Sequence, residues 1–301
     1  MIVAQPRRLG GWWGAPALFL APALVLFVVL FALPAASSLY VSMCKWTGFT
    51  PHMEFVGLRG FARLMADTKF WGALENNLWI MGVGGVAFFA MAFLFAAALN
   101  DRHVCGRKFF QTLIFFPSFI SAVGVATFWK LLYDSKSGLL NLSLEGLGAS
   151  PVQWLSSENA INAAIIMLVW AEVGGTMILL LAGMRRIPKD YYEAAEIDGA
   201  SAGQRFIHVT MPMMREVVLI ALSLWMIGSM KIFGFIQALL APDINDDCQV
   251  ISTLQYDYAF NNRRCIFLMG EATAMAVVQV AIVLVLVGIV RLMREKKSVE
   301  Y

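Results

Sequence analysis

The sequence predicts an all-α polytopic membrane protein: six transmembrane helices, with one folded loop between the fourth and the fifth. Three observations predict it. The 301 residues are 59% hydrophobic and 14% charged, with a mean hydropathy of +0.70, whereas a soluble domain is about half apolar and about a quarter charged. Six apolar stretches approach or exceed the ~20 residues that a helix needs to cross the hydrocarbon; they lie at 14–39, 77–99, 109–132, 160–183, 214–240 and 268–290. The connection at 184–213 is far longer than a turn between neighbouring helices requires and carries its own helix punctuation.

The first stretch follows Arg7 and Arg8 and runs from Trp12 to Leu39. A secretory signal peptide is the alternative, but the run exceeds an h-region and no small-residue cleavage site closes it, so it reads as a retained helix. Trp12, Trp13 and Trp46 suit interfacial anchoring. Asn76 and Asn77 open the second stretch, where they read as a helix cap, and Asn100-Asp101-Arg102 stops it. Gly84-Gly85 in the second and Gly174-Gly175 in the fourth suit close helix packing or local unwinding. The fifth stretch is the weakest, because Lys231 lies inside it. Arg291 and Arg294 stop the sixth. The whole chain, 1–301, reads as one transmembrane domain.

Orientation follows from Lys and Arg. With both ends inside, the inner segments hold Arg7, Arg8, Arg102, Arg107, Lys108, Arg185, Arg186, Lys189, Arg205, Arg215, Arg291, Arg294, Lys296 and Lys297. The outer loops hold fewer: Lys45, Arg59, Arg63, Lys69, Lys130, Lys136, Arg263 and Arg264. The N- and C-termini are therefore expected in the cytoplasm.

Several function classes drop out. The basic residues form no single patch, which excludes nucleic acid as a partner. Cys44, Cys105, Cys248 and Cys265 form no C-x-x-C pair and His is scarce, so no metal site is expected. Cys248 and Cys265 both fall on the outer side, where an oxidising environment would allow a bridge. No catalytic constellation is found. No G-x-x-x-x-G-K-[ST] is present either, so the chain holds no phosphate-cradling loop of its own.

The long loop reads as an elbow. Pro188 closes the preceding helix, and Asp190 and Glu193 have the spacing of a capping box. Tyr191–Asp198 reads as a short helix, Gly199 as its left-handed C-terminal residue, and Ser201 as the cap of a second short helix running through His208. Pro212 precedes the fifth span. Ala194, Ala195, Gly199 and Ala200 allow close approach; Glu193, Glu196 and Asp198 offer carboxylates to a basic partner. A loop that packs only on its own protein would show the same features.

The run Tyr-Tyr-Glu-Ala-Ala-Glu-Ile-Asp-Gly-Ala-Ser at 191–201, followed by Phe206 and Met211-Pro212, resembles the EAA loop of importer permeases in the ATP-binding-cassette superfamily. Phe55-Val56-Gly57-Leu58, Phe70-Trp71-Gly72-Ala73-Leu74-Glu75-Asn76-Asn77, Gly138-Leu139-Leu140-Asn141, Trp154-Leu155 and Trp170 are similar to the maltose-type permeases for oligosaccharides and glycerol phosphate. The resemblance covers roughly 14–292. Met211 replaces the family's usual Leu, Glu216 its usual second Pro, and Ala241-Pro242-Asp243 its usual Gly-Gly-Pro. The resemblance implies a type I importer permease of the bacterial or archaeal inner membrane. Glu193, Ala194, Ala195, Asp198 and Gly199 would then form the coupling helix. The implied partners are two cytoplasmic ATPase subunits carrying ATP and Mg, a second homologous permease, an extracytoplasmic solute-binding protein and a sugar.

A charge at mid-helix costs about 2.5–3.5 kcal/mol on insertion scales, which singles out Glu172 and Lys231. The resemblance places both in stretches that line the translocation path. Glu172, Ser229, Lys231 and Gln237 are expected to contact a polar substrate, with Trp170 or Phe233 as stacking platforms. The alternative is that Glu172 and Lys231 pair with each other or with a partner permease. Trp225 and Phe235 read as packing residues. An ion-coupled secondary transporter is the competing functional class, with Glu172, Glu216 or Glu271 as the coupling carboxylate; a non-transporting membrane scaffold is the third.

Overall fold

A computed structural model of the chain describes residues 14–101, 104–242, 244–260 and 268–295. Arg7, Arg8, Trp12, Trp13, Arg102, Asp243, Arg263, Arg264, Cys265, Lys296 and Lys297 lie outside the described residues. Helices dominate, because hydrocarbon offers a backbone no hydrogen-bond partner and helices satisfy it from within. Four helices are long and apolar enough to cross a bilayer: Leu18–Val41, Thr68–Asn100, Ala160–Met184 and Met269–Met293. Two bent pairs join them, Arg107–Phe119 with Ala122–Leu132 at 100° and Ala202–Met213 with Arg215–Met230 at 75°, and counting each pair as one span brings the described total to six.

Three elements differ from the sequence expectation. The second helix begins at Thr68, capped by Asp67, whose carboxylate accepts from the Lys69 N–H at 3.0 Å. Asn76 and Asn77 are therefore interior residues and not caps. The third stretch, expected as one helix over 109–132, breaks after a 3₁₀ turn at Phe116–Phe119 that contains Pro117. Ile120 is extended, and Ser121 caps the outgoing helix by accepting from the Gly124 N–H at 3.2 Å. The fifth stretch, expected over 214–240, is two helices, Arg215–Met230 and Phe233–Leu240. Lys231 stands in the break, at φ −110° and ψ 26°, and not within a continuous helix.

The fourth span is the central pillar: 61% of its most apolar window is buried, against 0% for the first span and 17% for the last. Gly174 is why it can approach the third span so closely. A Cβ there would stand 2.3 Å from the Ile114 carbonyl oxygen, while Gly175 faces open space. Trp225 performs the expected packing role. Its ring stacks on Phe88 with centroids 4.3 Å apart, and its Nε1 donates to the Met81 carbonyl at 2.9 Å. Gly85 makes room for that ring, since its Cβ would lie 2.7 Å from Trp225 Nε1.

The connections at the other end from the elbow are ordered by polar side chains. A two-stranded antiparallel pair joins Cys44–Lys45 to Glu54–Phe55. Arg63 pairs with Glu271 at 2.8 Å and Lys69 with Asp246. Asn141 binds four ways: its Nδ2 donates to the Ser135 and Val152 carbonyls at 3.3 and 3.0 Å, and its Oδ1 accepts from the Val152 N–H and from Trp154 Nε1, both at 3.0 Å. Cys248 is buried, with its thiol donating to the Ser157 carbonyl at 3.5 Å. Burial, with Asp247 beside it, pushes that thiol up from the ordinary range.

Candidate functional site

The elbow forms from the predicted punctuation, with one exchange of caps. Its first helix is Lys189–Ile197, preceded by Pro188 and lacking a side-chain cap. The expected Asp190/Glu193 box is not formed. The box sits instead on the second helix, Ala202–Arg205: Gln204 N–H donates to Ser201 Oγ at 3.4 Å, and Ser201 N–H donates to Gln204 Oε1 at 2.8 Å. That arm stays helical through the expected His208 and on to Met213, its hydrogen bonding changing to a π-helical turn at Phe206–Thr210 and back at Met211–Met213. Gly199 joins the two arms at φ +79°, a conformation other residues adopt only at a steric cost.

One face of the elbow is anchored and the other is bare. Tyr192 Oη and Thr210 Oγ1 hydrogen-bond at 2.9 Å across the two arms. Phe206 meets Phe93 of the second span edge to face at 5.8 Å, and Arg205 pairs with Glu196 at 3.3 Å. Glu193, Ala194, Asp198 and Gly199 are exposed and Ala195 is half-buried. Ile197 is 87% exposed and Tyr191 and Ile207 are open beside it. Met214, buried, marks the 75° bend where the elbow passes into the fifth span.

Five of the six expected path residues divide into two groups. Trp170 and Glu172 lie together on the fourth span, and Glu172 is exposed. Trp170 stacks beside Phe128 at 6.1 Å and meets Trp129 edge-on at 5.7 Å. Next to them Ser118 Oγ donates to the Ala171 carbonyl at 2.9 Å. Lys231, Phe233 and Gln237 follow one another at and beyond the break in the fifth span. Lys231 is exposed, Phe233 packs on Tyr256 at 5.4 Å, and Gln237 lines a small cleft with Gln249, Tyr256 and Asp257. Glu172 and Lys231 form no ion pair with each other among the described residues. Ser229 departs from the expectation: it is buried, and its hydroxyl donates to the Met226 carbonyl at 3.0 Å, so it presents no side chain to a path.

Asn77, expected to cap the start of the second span, instead joins three elements inside the protein. It is fully buried, and its Nδ2 donates to the Ser229 carbonyl while its Oδ1 accepts from the Ile251 N–H, both at 2.8 Å. Asn76 beside it donates to the Asp247 and Gln249 carbonyls, both at 2.8 Å. The clue was Asp67, an N-cap residue type standing just ahead of Thr68, which moves the helix start upstream of both asparagines.

Residues 94–298, which include the elbow and both groups, match the family described as the inner membrane component of binding-protein-dependent transport systems. The chain belongs to that family. Among its relatives, this permease is 32% identical over 277 residues to the probable ABC transporter permease protein YurN of Bacillus subtilis, covering 90% of this chain and 92% of the relative. It is 33% identical over 242 residues to the trehalose/maltose transport system permease protein MalF of Thermococcus litoralis, covering 80% and 82%. The permease also superposes on a chain of a bacterial alginate ABC transporter, solved in complex with its alginate pentasaccharide-bound periplasmic protein. The TM-score is 0.81 at 25% identity, with 94% of each chain covered. The fold is that of an ABC importer permease, and the permease is a multi-pass membrane protein.

Proposed function

We propose that this permease is the transmembrane subunit of an ATP-driven carbohydrate importer, and that its elbow receives the motion of a separate cytoplasmic ATPase. The observation that carries the reading is the two-faced elbow. A bare face with Ile197, Tyr191 and Glu193 can seat in a partner, while the Tyr192–Thr210 and Phe206–Phe93 contacts tie the other face to the spans. A push on Lys189–Ile197 is then delivered to the bent start of the fifth span, whose far end carries Lys231.

The cycle is alternating access. ATP and Mg sit on two ATPase subunits, because this sequence has no phosphate-cradling loop. Their closure moves the elbow and opens the helices outward to a solute-binding protein; the alginate transporter was solved with a periplasmic protein that carries its cargo. Two ATPases require two elbows, so a second related permease completes the pore. The first span, with 0% of its window buried, is a surface such a neighbour can cover. Both termini face the cytoplasm of the inner membrane, in line with the excess of Lys and Arg on the elbow side. The relatives' named cargoes, trehalose and maltose in one case and alginate in another, support a sugar or oligosaccharide. Trp170 and Phe128 supply an aromatic face, and Glu172, Lys231 and Gln237 supply polar groups.

The test is purification from membranes in mild detergent, with identification of what accompanies the wild type and the Glu193→Lys/Gly199→Pro variant, alongside uptake in vesicles. An ATPase retained by the wild type, lost in the variant, and uptake driven by ATP would support the reading. Uptake driven by a proton gradient with no associated ATPase would overturn it.

A further inference from the structure

At the elbow end of the spans, a cleft of about 590 Å³ opens between the end of the second span, the start of the third and the root of the elbow. Asn100, Arg107, Arg185 and Lys189 supply its polar lining, with Met184 and Tyr192 among the others, and no carboxylate is among its described lining residues. None of the three cations makes an ion pair or side-chain hydrogen bond among the described residues. Three unpaired cations around one concavity repel one another and favour an anion. Its place in the fold indicates which anion. Asn100 and Met184 are the last residues of membrane-spanning helices, so the cleft lies at the level of lipid headgroups. On the helix that begins at Arg107, Phe109, Phe110 and Leu113 are exposed, 66%, 44% and 55%, offering apolar surface directly beside the charge.

We infer that this cleft binds the phosphodiester headgroup of an anionic phospholipid, with its acyl chains lying along Phe109, Phe110 and Leu113. The guanidinium groups of Arg107 and Arg185 and the ammonium of Lys189 take the phosphate oxygens. The Asn100 carboxamide is available to the glycerol side. A lipid held there ties the second and third spans to the root of the elbow. The site depends on the membrane topology alone and stands whatever the cargo is.

The experiment uses the assembled transporter, with whichever subunits co-purify, in nanodiscs of phosphatidylcholine with increasing phosphatidylglycerol, followed by native mass spectrometry. The wild type is expected to retain phosphatidylglycerol selectively. At about 1 kcal/mol per surface cation, the Arg107→Gln/Arg185→Gln/Lys189→Gln variant loses roughly a hundredfold of that preference. Lys189→Gln alone, at an exposed position that leaves packing intact, loses a smaller part. Lys108→Gln, outside the cleft, loses none. Equal retention by wild type and variants would overturn the inference. So would loss of the lipid when ATPase subunits are bound, which would assign the cleft to a protein interface. Equal protection of lipid-free protein by inorganic phosphate would also overturn it, by pointing to a soluble anion.

Discussion

The side-chain amide of Asn77 donates to the Ser229 carbonyl at 2.8 Å, two residues before Lys231, where the fifth span breaks. The same side chain accepts from the N–H of Ile251, at the first residue of the helix Ile251–Phe260. One buried residue thus holds a helix end, a helix start and the second span in register. Gln279 of the last span donates to the Met230 carbonyl next to it. The break at Lys231 is therefore satisfied by side chains from two other spans.

Replacing Asn77 by Ala leaves a buried carbonyl and a buried N–H without partners. Each such group costs about 1–3 kcal/mol, so the loss is roughly 2–6 kcal/mol. A lowered melting temperature in detergent, with faster hydrogen exchange at Ile251, is the expected result. An unchanged melting temperature and unchanged exchange would show that the clamp contributes nothing.

Gly174→Ala should push the third and fourth spans apart, because the new Cβ would meet the Ile114 oxygen at 2.3 Å and Phe115 Cα at 2.6 Å. Backbone cannot rotate away as a side chain can, so the upper part of the usual ~1–3 kcal/mol overpacking cost is expected. Gly175→Ala, with open space at its Cβ, is the control and should melt with the wild type.

Gly199→Val places a β-branched residue at φ +79°, a strain of roughly 1–2 kcal/mol or more, confined to the elbow. Assembly with the ATPase should weaken while the melting of the spans holds. Gly203→Ala, at a helical position with open space, should assemble normally.

Glu172→Gln and Lys231→Met test the path. A lost charge-assisted hydrogen bond to substrate is worth about 1.5–3 kcal/mol, so KM for uptake should rise roughly tenfold or more. Ser229→Ala should leave uptake kinetics alone, since its hydroxyl points to the Met226 carbonyl. Unchanged rate and preference in both charge variants would remove these residues from the path.

Asp134 gives a pH prediction in the connection after the third span. The Ser137 N–H and hydroxyl, at 2.7 and 2.8 Å, and then the Lys136 N–H at 3.1 Å hold its carboxyl below the ordinary range. A depressed carboxyl stabilises the folded turn above its unfolded pKa and loses that contribution as pH falls through the folded value. The Ser137 amide shift should titrate with a midpoint below that of an unfolded Asp peptide. Ser137→Ala should raise that midpoint.

Membrane class, most of the spans and the elbow were legible because they are local properties. Apolar runs of span length must become helices in hydrocarbon whatever surrounds them. Gly199 acts through its own backbone restriction, so the far end of the first elbow helix could be read directly, whereas its start lies at Lys189 and not at the expected Tyr191. The Ser201 cap was legible; the failure of the Asp190/Glu193 box was not, since both pairs, Asp190/Glu193 and Ser201/Gln204, have box spacing and only the folded chain selects between them.

The breaks belong to tertiary structure. Nothing next to Lys231 in sequence announces that its helix stops there. The ends are stabilised by Asn77, 152 residues from Ser229, and by Gln279, 49 residues from Met230. A helix can be interrupted inside a membrane only where other parts of the protein take over the freed backbone groups. Those partners come from distant spans, and so packing decided where the fifth span opens, which way Ser229 faces and what Asn77 does.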